Sequence, residues 1–443
     1  MKKILLILCL LLVACEPPSE EVKGKWINIF PNIDIIPANI PQPVDPFNTV
    51  MYVRYFIEDD DETSHDIIQE AFSEEVYRLH QLFDRHYSYY LDKENKTYIN
   101  NVYQINKIYG TDEELEIDDD LINVLKLGIE YAKLSDGKFN IFVGTISDVW
   151  TQIFDDYYNF SFIEEIDPRF NDEIKNEIEK YTACIPTYEE IEDILVIDEE
   201  NKTVKFNLKE VLDEEDNNIC SSNSKYKPSI TLGGIGKGYA TKMIVEKLIS
   251  LGYSNGQVLS GGSSISTLGE SFLKNGQQIT VADPRDKGFG EQIPAFSLRI
   301  KNKFDMSTSG NYTTGKSYSF IDYENQEIVY RHHILDSNTG LPSNYHRSVT
   351  IFSETIDAAI LDALSTTLVN LPIDEGLEFR NRMKEKGLDF EVVWINQEGI
   401  DKEITCNDET WCPTYPSKLT ITSTSNFNNS LKVKEGVTLK YVT

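Results

Sequence analysis

Residues 231–239 (TLGGIGKGY) have the residue types of a turn that binds phosphate. The stretch lies between a strand-like segment and an apolar pattern of helical spacing, so it is predicted to join a strand to a helix. Glycines let the backbone approach a ligand closely, and the free N–H groups at a helix start attract anions. Lys237 adds a positive charge at the same place. The alternative interpretation is an ordinary glycine-rich turn without a ligand.

Two familiar phosphate-binding loops do not fit this spacing. A Walker A loop needs Ser or Thr after its lysine, whereas Gly238 follows Lys237. The glycines run as G-x-G-x-G, and the Rossmann turn requires G-x-G-x-x-G. A phosphate bound here would therefore be held in another fold.

Oxygen ligands and a histidine pair occur later in the chain. Asp362 and Thr366 are four residues apart in a predicted helix, so they project from one face. A carboxylate and a hydroxyl suit Mg²⁺, although a hydrogen bond on a helix surface is the alternative. His332 and His333 precede Asp336, and imidazole titrates near neutral pH, as a general acid or base requires. A satisfied structural histidine is the alternative there.

Helical and alternating patterns interchange along the chain and predict a mixed α+β fold. The patterns predict helices at 64–83, 118–134, 240–251 and 353–371, the last of them begun by Ser353 or Thr355. Strands are predicted at 49–56, 138–143, 228–232, 256–268 (broken at 260–263), 278–284 and 295–300. A hairpin is predicted at 194–206, a polar turn at 307–312 and a strand-like tail at 418–442. The acidic stretch 151–227 is interpreted as a solvated face or an insertion.

The N-terminus predicts export and lipid anchoring. Two lysines precede an apolar core at 4–13, which is too short to span a bilayer and has the length of a signal peptide. The core ends in LVAC, which resembles a bacterial lipobox with Cys15 as the lipidated residue. An ordinary secretory signal or an uncleaved anchor is the alternative. Residues 16–45 are rich in proline and are interpreted as a tether.

The composition limits the partners. A net charge of −31 argues against nucleic acid and against direct adhesion to anionic lipid. The same charge repels an anionic ligand, so local donors or a metal must hold one. Hydrophobic residues make up 40% of the chain, which suffices for a real core. Outside the cell, Cys184 with Cys220 and Cys406 with Cys412 are plausible disulfides.

Six short motifs follow one another along the chain. They are TLGGIGKG at 231–238, SGG at 260–262, DP at 283–284, SGNY at 309–312, HILDSNTG at 333–340 and LDALST at 361–366. In types and order they resemble the motifs of the FAD:protein FMN transferase family, also called the ApbE family. The resemblance covers about residues 45–400.

The resemblance implies a fold, a reaction and two ligands. It implies one ApbE-like, T-fold-like layered domain at 46–400 with an acidic insertion at about 151–227, and a β-rich extension at 401–443. Family members bind FAD with Mg²⁺ and join FMN to a Ser or Thr hydroxyl of a partner protein, releasing AMP. For this chain we therefore expect an exported, lipid-anchored transferase on the outer face of the cell membrane.

The resemblance also implies roles for single residues. The metal ligands would be Asp362, Thr366 and the carbonyl of Gly234, and His333 is the candidate general acid or base. The FAD-contact positions would be Phe47, Tyr90, Lys138, Phe139, Asn140, Thr231, Lys237 and Leu335. The chain departs from the family pattern at Thr231 (usually Asp), Ser337 (usually Pro), Asn140 (often Asp) and Ser365 (a carboxylate in some members).

Two other functions remain open at this point. One is an FAD pyrophosphatase that uses water as the acceptor in the same site. The other is a non-catalytic flavin-binding lipoprotein, for which the loss of the usual Asp at Thr231 is the warning sign.

Overall fold

The computed structural model describes most of the chain. The described residues are 23–35, 46–269, 276–285, 294–312, 317–400 and 417–443. The predicted signal peptide, its lipobox at Cys15 and the pair Cys406 and Cys412 lie outside these residues. Among the helices that are described, none is long and apolar enough to cross a membrane.

A nine-stranded sheet forms the framework, in the order β1-β2-β8-β9-β12-β17-β18-β19-β21. Its neighbours are antiparallel except for the last pair, which is parallel. In chain order the strands are β1 Gly24–Ile29, β2 Met51–Glu58, β3 Tyr90–Asp92, β4 Thr97–Tyr98, β5 Leu115–Glu116, β6 Leu195–Asp198, β7 Thr203–Phe206, β8 Gly256–Ser260, β9 Ser264–Thr267, β10 Gln277–Ala282, β11 Pro294–Ile300, β12 Asp305–Gly310, β13 Ser317–Asp322, β14 Glu327–His332, β15 Leu335–Asp336, β16 Leu341–Pro342, β17 Ser348–Ser353, β18 Glu391–Glu398, β19 Lys418–Ser423, β20 Lys432–Val433 and β21 Thr438–Tyr441.

The α-helices lie mainly in the first half of the chain and after β17. They are α1 Ser64–Phe83, α2 Val102–Lys107, α3 Asp119–Leu134, α4 Gly144–Tyr158, α5 Ile163–Ile166, α6 Asp172–Ala183, α7 Ile191–Ile194, α8 Gly236–Ser250, α9 Ala358–Val369 and α10 Ile373–Glu385. Together with the mainly antiparallel sheet, they confirm the predicted α+β class.

The two faces of the large sheet have different covers. Helices α8 and α9 pack on one face, where Ile351 and Trp394 belong to the main core. The small sheet β10-β11-β20 packs on the other face, against Phe352. Strand β12 alternates between the faces, because Met306 joins the second core and Ser307 reaches α9. The polar side of β12 therefore lies under α9.

Several predicted elements are confirmed. Helix α1 covers the predicted range, and the hairpin β6–β7 forms. The C-terminal tail supplies β19 and β21 to the large sheet. The predicted tether at 16–45 is wrong in part, because Gly24–Ile29 pair with β2 as the edge strand β1.

Three predicted elements are wrong. Residues 138–143 form a turn, because Asn140 Oδ1 accepts the N–H of Phe142 and bends the backbone. Residues 228–232 contribute one isolated bridge, from Ser229 to Val143, and no strand. The supposed polar turn at 307–312 belongs largely to β12, in the middle of the sheet.

Region 151–227 packs as a helical layer with a small sheet, β5-β7-β6. The predicted disulfide between Cys184 and Cys220 is confirmed, with a Cα–Cα distance of 5.4 Å. Both cysteines are fully buried, at the end of α6 and in the loop before the glycine turn. The disulfide therefore ties α6 to the chain that leads into that turn.

Candidate active site

Helix α9 carries the predicted metal ligands and begins one turn later than expected. Its N-cap is Asp357, whose side chain accepts the N–H groups of Ala359 and Ile360, so the predicted starts at Ser353 and Thr355 are wrong. An Asp at this position satisfies the free N–H groups of the first turn.

The Asp362 carboxylate is buried and held in a fixed orientation. Its Oδ2 accepts the backbone N–H of Gly238 at 2.9 Å, and its Oδ1 accepts the Ser307 hydroxyl at 3.1 Å. Helix α8 approaches α9 closely here, since a Cβ on Gly238 would lie 2.2 Å from the carbonyl oxygen of Ala358. Only glycine allows this approach and, with it, the hydrogen bond to Asp362.

A cluster of hydroxyl groups connects Asp362 to Thr366. Ser307 Oγ lies 3.2 Å from Ser365 Oγ, which lies 2.8 Å from Ser309 Oγ. Ser309 Oγ in turn lies 3.2 Å from Thr366 Oγ1. Strand β12 and helix α9 thus share one hydrogen-bonded network, which fixes the side chains along this face of the helix.

The glycine turn closes the site over Thr366. A Cβ on Gly234 would lie 3.3 Å from Thr366 Oγ1 and 3.0 Å from the Phe139 ring. Asp362 and Thr366 therefore lie beside the glycine turn, and carboxylate, hydroxyl and backbone carbonyl oxygens are ligands that Mg²⁺ prefers. These residues fit a magnesium ion. No group of three or more His, Cys, Asp or Glu is arranged for a metal in the described ranges, at this site or at any other.

Thr231 and Lys237 organise the turn itself. The N–H of Thr231 donates to the Ile141 carbonyl at 2.7 Å, and its hydroxyl accepts the N–H of Gly233 at 3.3 Å. The Lys237 ammonium donates to the Gly233 carbonyl at 3.2 Å and is partly exposed. Thr231 thus shapes the turn without adding the negative charge that the usual Asp would bring.

Lys138, Phe139 and Leu335 are brought to the C-terminal half of α9. Asn370 is the C-cap residue of α9, and its side-chain amide donates to the carbonyls of Lys138 at 2.9 Å and Leu335 at 3.0 Å. The Lys138 ammonium lies 2.6 Å from Asp336 Oδ2, and this carboxylate is almost buried. A single side chain therefore fixes two segments that are far apart in sequence.

The other three residues predicted to contact the flavin, Asn140, Phe47 and Tyr90, contact different parts of the protein. Asn140 is buried and donates to the carbonyl of Pro186 at 2.9 Å, so it holds the turn. Phe47 has φ at +58°, and its ring contacts the rings of α1 and lies 3.9 Å from a Cβ built on Gly236. Tyr90 stacks on Tyr98 across the hairpin β3–β4, with ring centroids 4.8 Å apart.

The two adjacent histidines differ sharply. His332 is buried; its Nε2 donates to the Ser343 carbonyl, and its Nδ1 accepts the N–H of Ile334. Burial lowers the pKa of His332 to about 3, so this ring is neutral and structural. His333 is exposed and follows directly after β14. Of the pair, His333 is therefore the one that can exchange a proton with a substrate.

Two site residues escaped the sequence analysis. Ser307 bonds Asp362 directly, and its signal is the alternation of polar and apolar side chains along β12 around Met306. Asn370 lies four residues after Thr366, which is the helical spacing that puts both on one face.

Comparisons with known proteins assign the chain to a family. A model of the ApbE family matches residues 47–390. The chain is similar to the FAD:protein FMN transferase of Haemophilus influenzae, with 31% identity over 150 residues, which are 34% of this chain and 39% of that protein. The match thus spans about two fifths of that relative's length.

Solved structures share the fold. The flavin transferase ApbE of Vibrio cholerae matches with a TM-score of 0.57 and 16% identity, over 92% of this chain and 99% of that chain. The ApbE protein of Thermotoga maritima matches with a TM-score of 0.54 and 22% identity, over 84% of this chain and 94% of that chain. Since the family model covers most of the chain, from Phe47 through the glycine turn and α9, the chain belongs to the ApbE family.

Proposed function

We propose that this protein transfers FMN from FAD to a Ser or Thr hydroxyl of an acceptor protein and releases AMP. The observation that carries the proposal is the contact of α8 and α9, which sets Asp362 and Thr366 beside the glycine turn. Membership of the ApbE family and the similarity to an FAD:protein FMN transferase support it.

The reaction exchanges a phosphoanhydride bond for a phosphoester bond. The acceptor oxygen forms a bond to the FMN phosphorus of FAD, and the bond from that phosphorus to the bridging oxygen breaks. AMP leaves with the bridging oxygen, and the hydroxyl proton passes to a base, which we assign to His333 Nδ1 or Nε2. An exposed imidazole at the end of β14 can reach a hydroxyl that approaches from solvent.

The site must overcome the negative charge of the protein. Asp362, Thr366 and the Gly234 carbonyl would hold Mg²⁺, which neutralises phosphate charge during phosphoryl transfer. Lys237 adds a local positive charge at the turn. We place the flavin end of FAD near Lys138, Phe139 and Leu335, which Asn370 gathers beside α9.

We also propose that the protein works outside the cytoplasm, anchored through a lipid on Cys15. The Cys184–Cys220 disulfide supports an oxidising compartment. Metabolic labelling with a fatty-acid analogue tests the anchor. Label on the wild type but not on Cys15→Ser is expected, and equal labelling would contradict it.

The deciding experiment incubates the purified protein with FAD, Mg²⁺ and a candidate acceptor and measures acceptor mass. The proposal predicts an increment of one esterified FMN and an equal amount of AMP. Free FMN and AMP without acceptor would favour a pyrophosphatase, and bound FAD without turnover would favour a binding protein.

Substitution of the metal ligand separates site chemistry from folding. Asp362→Ala is expected to abolish Mg²⁺-dependent transfer, because it removes the only carboxylate among the proposed ligands. Asp374→Ala, an exposed acid in the first turn of α10, is the matched control and should keep the wild-type rate. Unchanged transfer by Asp362→Ala would overturn the metal assignment.

A further inference from the structure

A buried ion pair connects the acidic region 151–227 with the strand that precedes His333. Asp167 is fully buried between α5 and α6 and accepts two hydrogen bonds from Arg331, at 2.8 Å from Nε and 3.0 Å from Nη2. The Tyr318 hydroxyl donates to the same carboxylate at 2.7 Å, and the N–H of Arg169 donates at 2.9 Å. The paired guanidinium is only 6% exposed.

Stability alone does not account for such a pair. Removing two charges from water is costly, and apolar side chains of similar volume are often as stabilising as a buried ion pair. The planar fork of Arg331, however, fixes direction as well as distance. The pair therefore sets the position of β14 at a point two residues before His333.

Further contacts hold the backbone on both sides of His333. His332 bonds the Ser343 carbonyl and the N–H of Ile334, and the Leu335 carbonyl accepts the Asn370 amide. His333 thus lies between anchored neighbours, while its own side chain is exposed.

Helix α4 and the acidic region also hold the far end of this segment. The Trp150 indole of α4 donates to the Gly340 carbonyl at 2.8 Å, and a Cβ on Gly340 would lie 2.1 Å from Thr182 Oγ1 of α6. The Arg331 guanidinium lies 5.8 Å from the Trp150 ring. One helical layer therefore contacts both ends of the stretch from Arg331 to Gly340.

We propose that the Asp167–Arg331 pair is a positioning element for His333, so that the acidic region sets the rate of group transfer. The proposal rests on the proposed function, in which His333 accepts the hydroxyl proton. The pair acts through the backbone of β14 and does not itself touch FAD. A shift of about 1 Å in a reacting group can cost about 100-fold in rate.

The variant must remove the pair without leaving a buried charge. Asp167→Asn alone would leave the Arg331 guanidinium buried without its counter-charge and would destabilise the fold. The double variant Asp167→Leu/Arg331→Met replaces both partners by apolar side chains of similar size. Its folding is checked by circular dichroism and by FAD binding, both of which should match the wild type.

The readout is the steady-state kinetics of FMN transfer. The double variant is expected to lower kcat at least 10-fold and to keep the KM for FAD within twofold. Arg169→Gln is the matched control, because Arg169 pairs with Asp322 and Glu327 at the opposite end of the same β13–β14 hairpin. The control should keep kcat within twofold.

Coupling to His333 is tested by adding His333→Ala to the double variant. If the pair acts through His333, the triple variant should have a kcat within twofold of that of His333→Ala alone, because removing the pair then costs nothing further. An equal loss of kcat on removing the pair with and without His333, or a wild-type kcat in the double variant, would overturn the inference. A wild-type transfer rate in His333→Ala alone would overturn the acid–base assignment of His333. The proposed positioning of His333 by the pair would then have no role in the reaction.

Discussion

Replacing Gly238 by alanine is expected to force α8 and α9 apart and to displace Asp362. The new Cβ would lie 2.2 Å from the Ala358 carbonyl oxygen and 2.7 Å from the Asp362 Cβ. Both distances are well below the van der Waals contact distance. The Ala358 carbonyl belongs to the helix backbone, so it cannot rotate away as a side chain could. The same substitution lengthens the hydrogen bond from residue 238 to Asp362 Oδ2, now 2.9 Å.

The expected change in the free energy of unfolding is the sum of opposing effects. Alanine in a helix interior is favoured over glycine by about 1 kcal/mol. Overpacking costs about 1–3 kcal/mol, and a weakened hydrogen bond to a carboxylate costs about 1.5 kcal/mol or more. We therefore expect Gly238→Ala to lower the free energy of unfolding by about 2–4 kcal/mol. FMN transfer should fall about 100-fold if the carboxylate moves by about 1 Å.

Gly236→Ala is the matched control on the same helix. A Cβ there meets only ordinary contacts, at 3.5 Å from Leu232 and Phe83. We expect this variant to unfold at the wild-type urea concentration or slightly above it and to keep its transfer rate. Urea titration followed by tryptophan fluorescence, with the transfer assay beside it, compares the two. Equal stability and equal rates in both variants would refute the steric reasoning.

Reduction of the Cys184–Cys220 disulfide should lower the free energy of unfolding by about 3–4 kcal/mol, because 36 residues separate the cysteines. Urea titrations with and without reductant measure the loss, and a Cys184→Ala/Cys220→Ala variant should not respond. Burial lowers the pKa of His332 from 6.5 to about 3, so the unfolded chain binds one more proton between these values. The free energy of unfolding should fall as the pH drops below 6.5, by about 2 kcal/mol at pH 5. A His332→Gln variant whose free energy of unfolding depended on pH as strongly as that of the wild type would contradict this. Asn370→Ala removes two hydrogen bonds to buried carbonyls, so we expect about 1–3 kcal/mol lower stability and a higher KM for FAD. Unchanged values of both quantities would exclude its role in gathering the site.

The residues of the proposed metal site could be singled out from the sequence because they lie in short contiguous stretches. Residues 231–239 and the spacing of Asp362 and Thr366 can be read without knowing what packs beside them. The structure places Gly234 next to Thr366, and this contact follows from the packing of α8 on α9. The strand predicted at residues 138–143 was wrong. The apolar side chains there are typical of a strand, but Asn140 turns the backbone.

Other features depend on partners that are distant in sequence. Strand β12 resembles a turn because its inward side chains are serines, which bond hydroxyls of α9 more than 50 positions away. Asp167 looks like one more solvated acid among many, and only its contact with Arg331, 164 positions later, reveals a buried charge. Composition can indicate neither pairing.

Strand β1 begins at Gly24, and only residues 16–23 separate its first residue from Cys15. A chain spans at most about 3.6 Å per residue, so a lipid on Cys15 would keep this edge of the sheet within about 30 Å of the bilayer. The protein would then stay in a layer of about this depth above the membrane surface. Its encounters would depend on the number of acceptors per area of membrane, and an acceptor confined to the same surface would be modified far sooner than one diffusing in bulk solution.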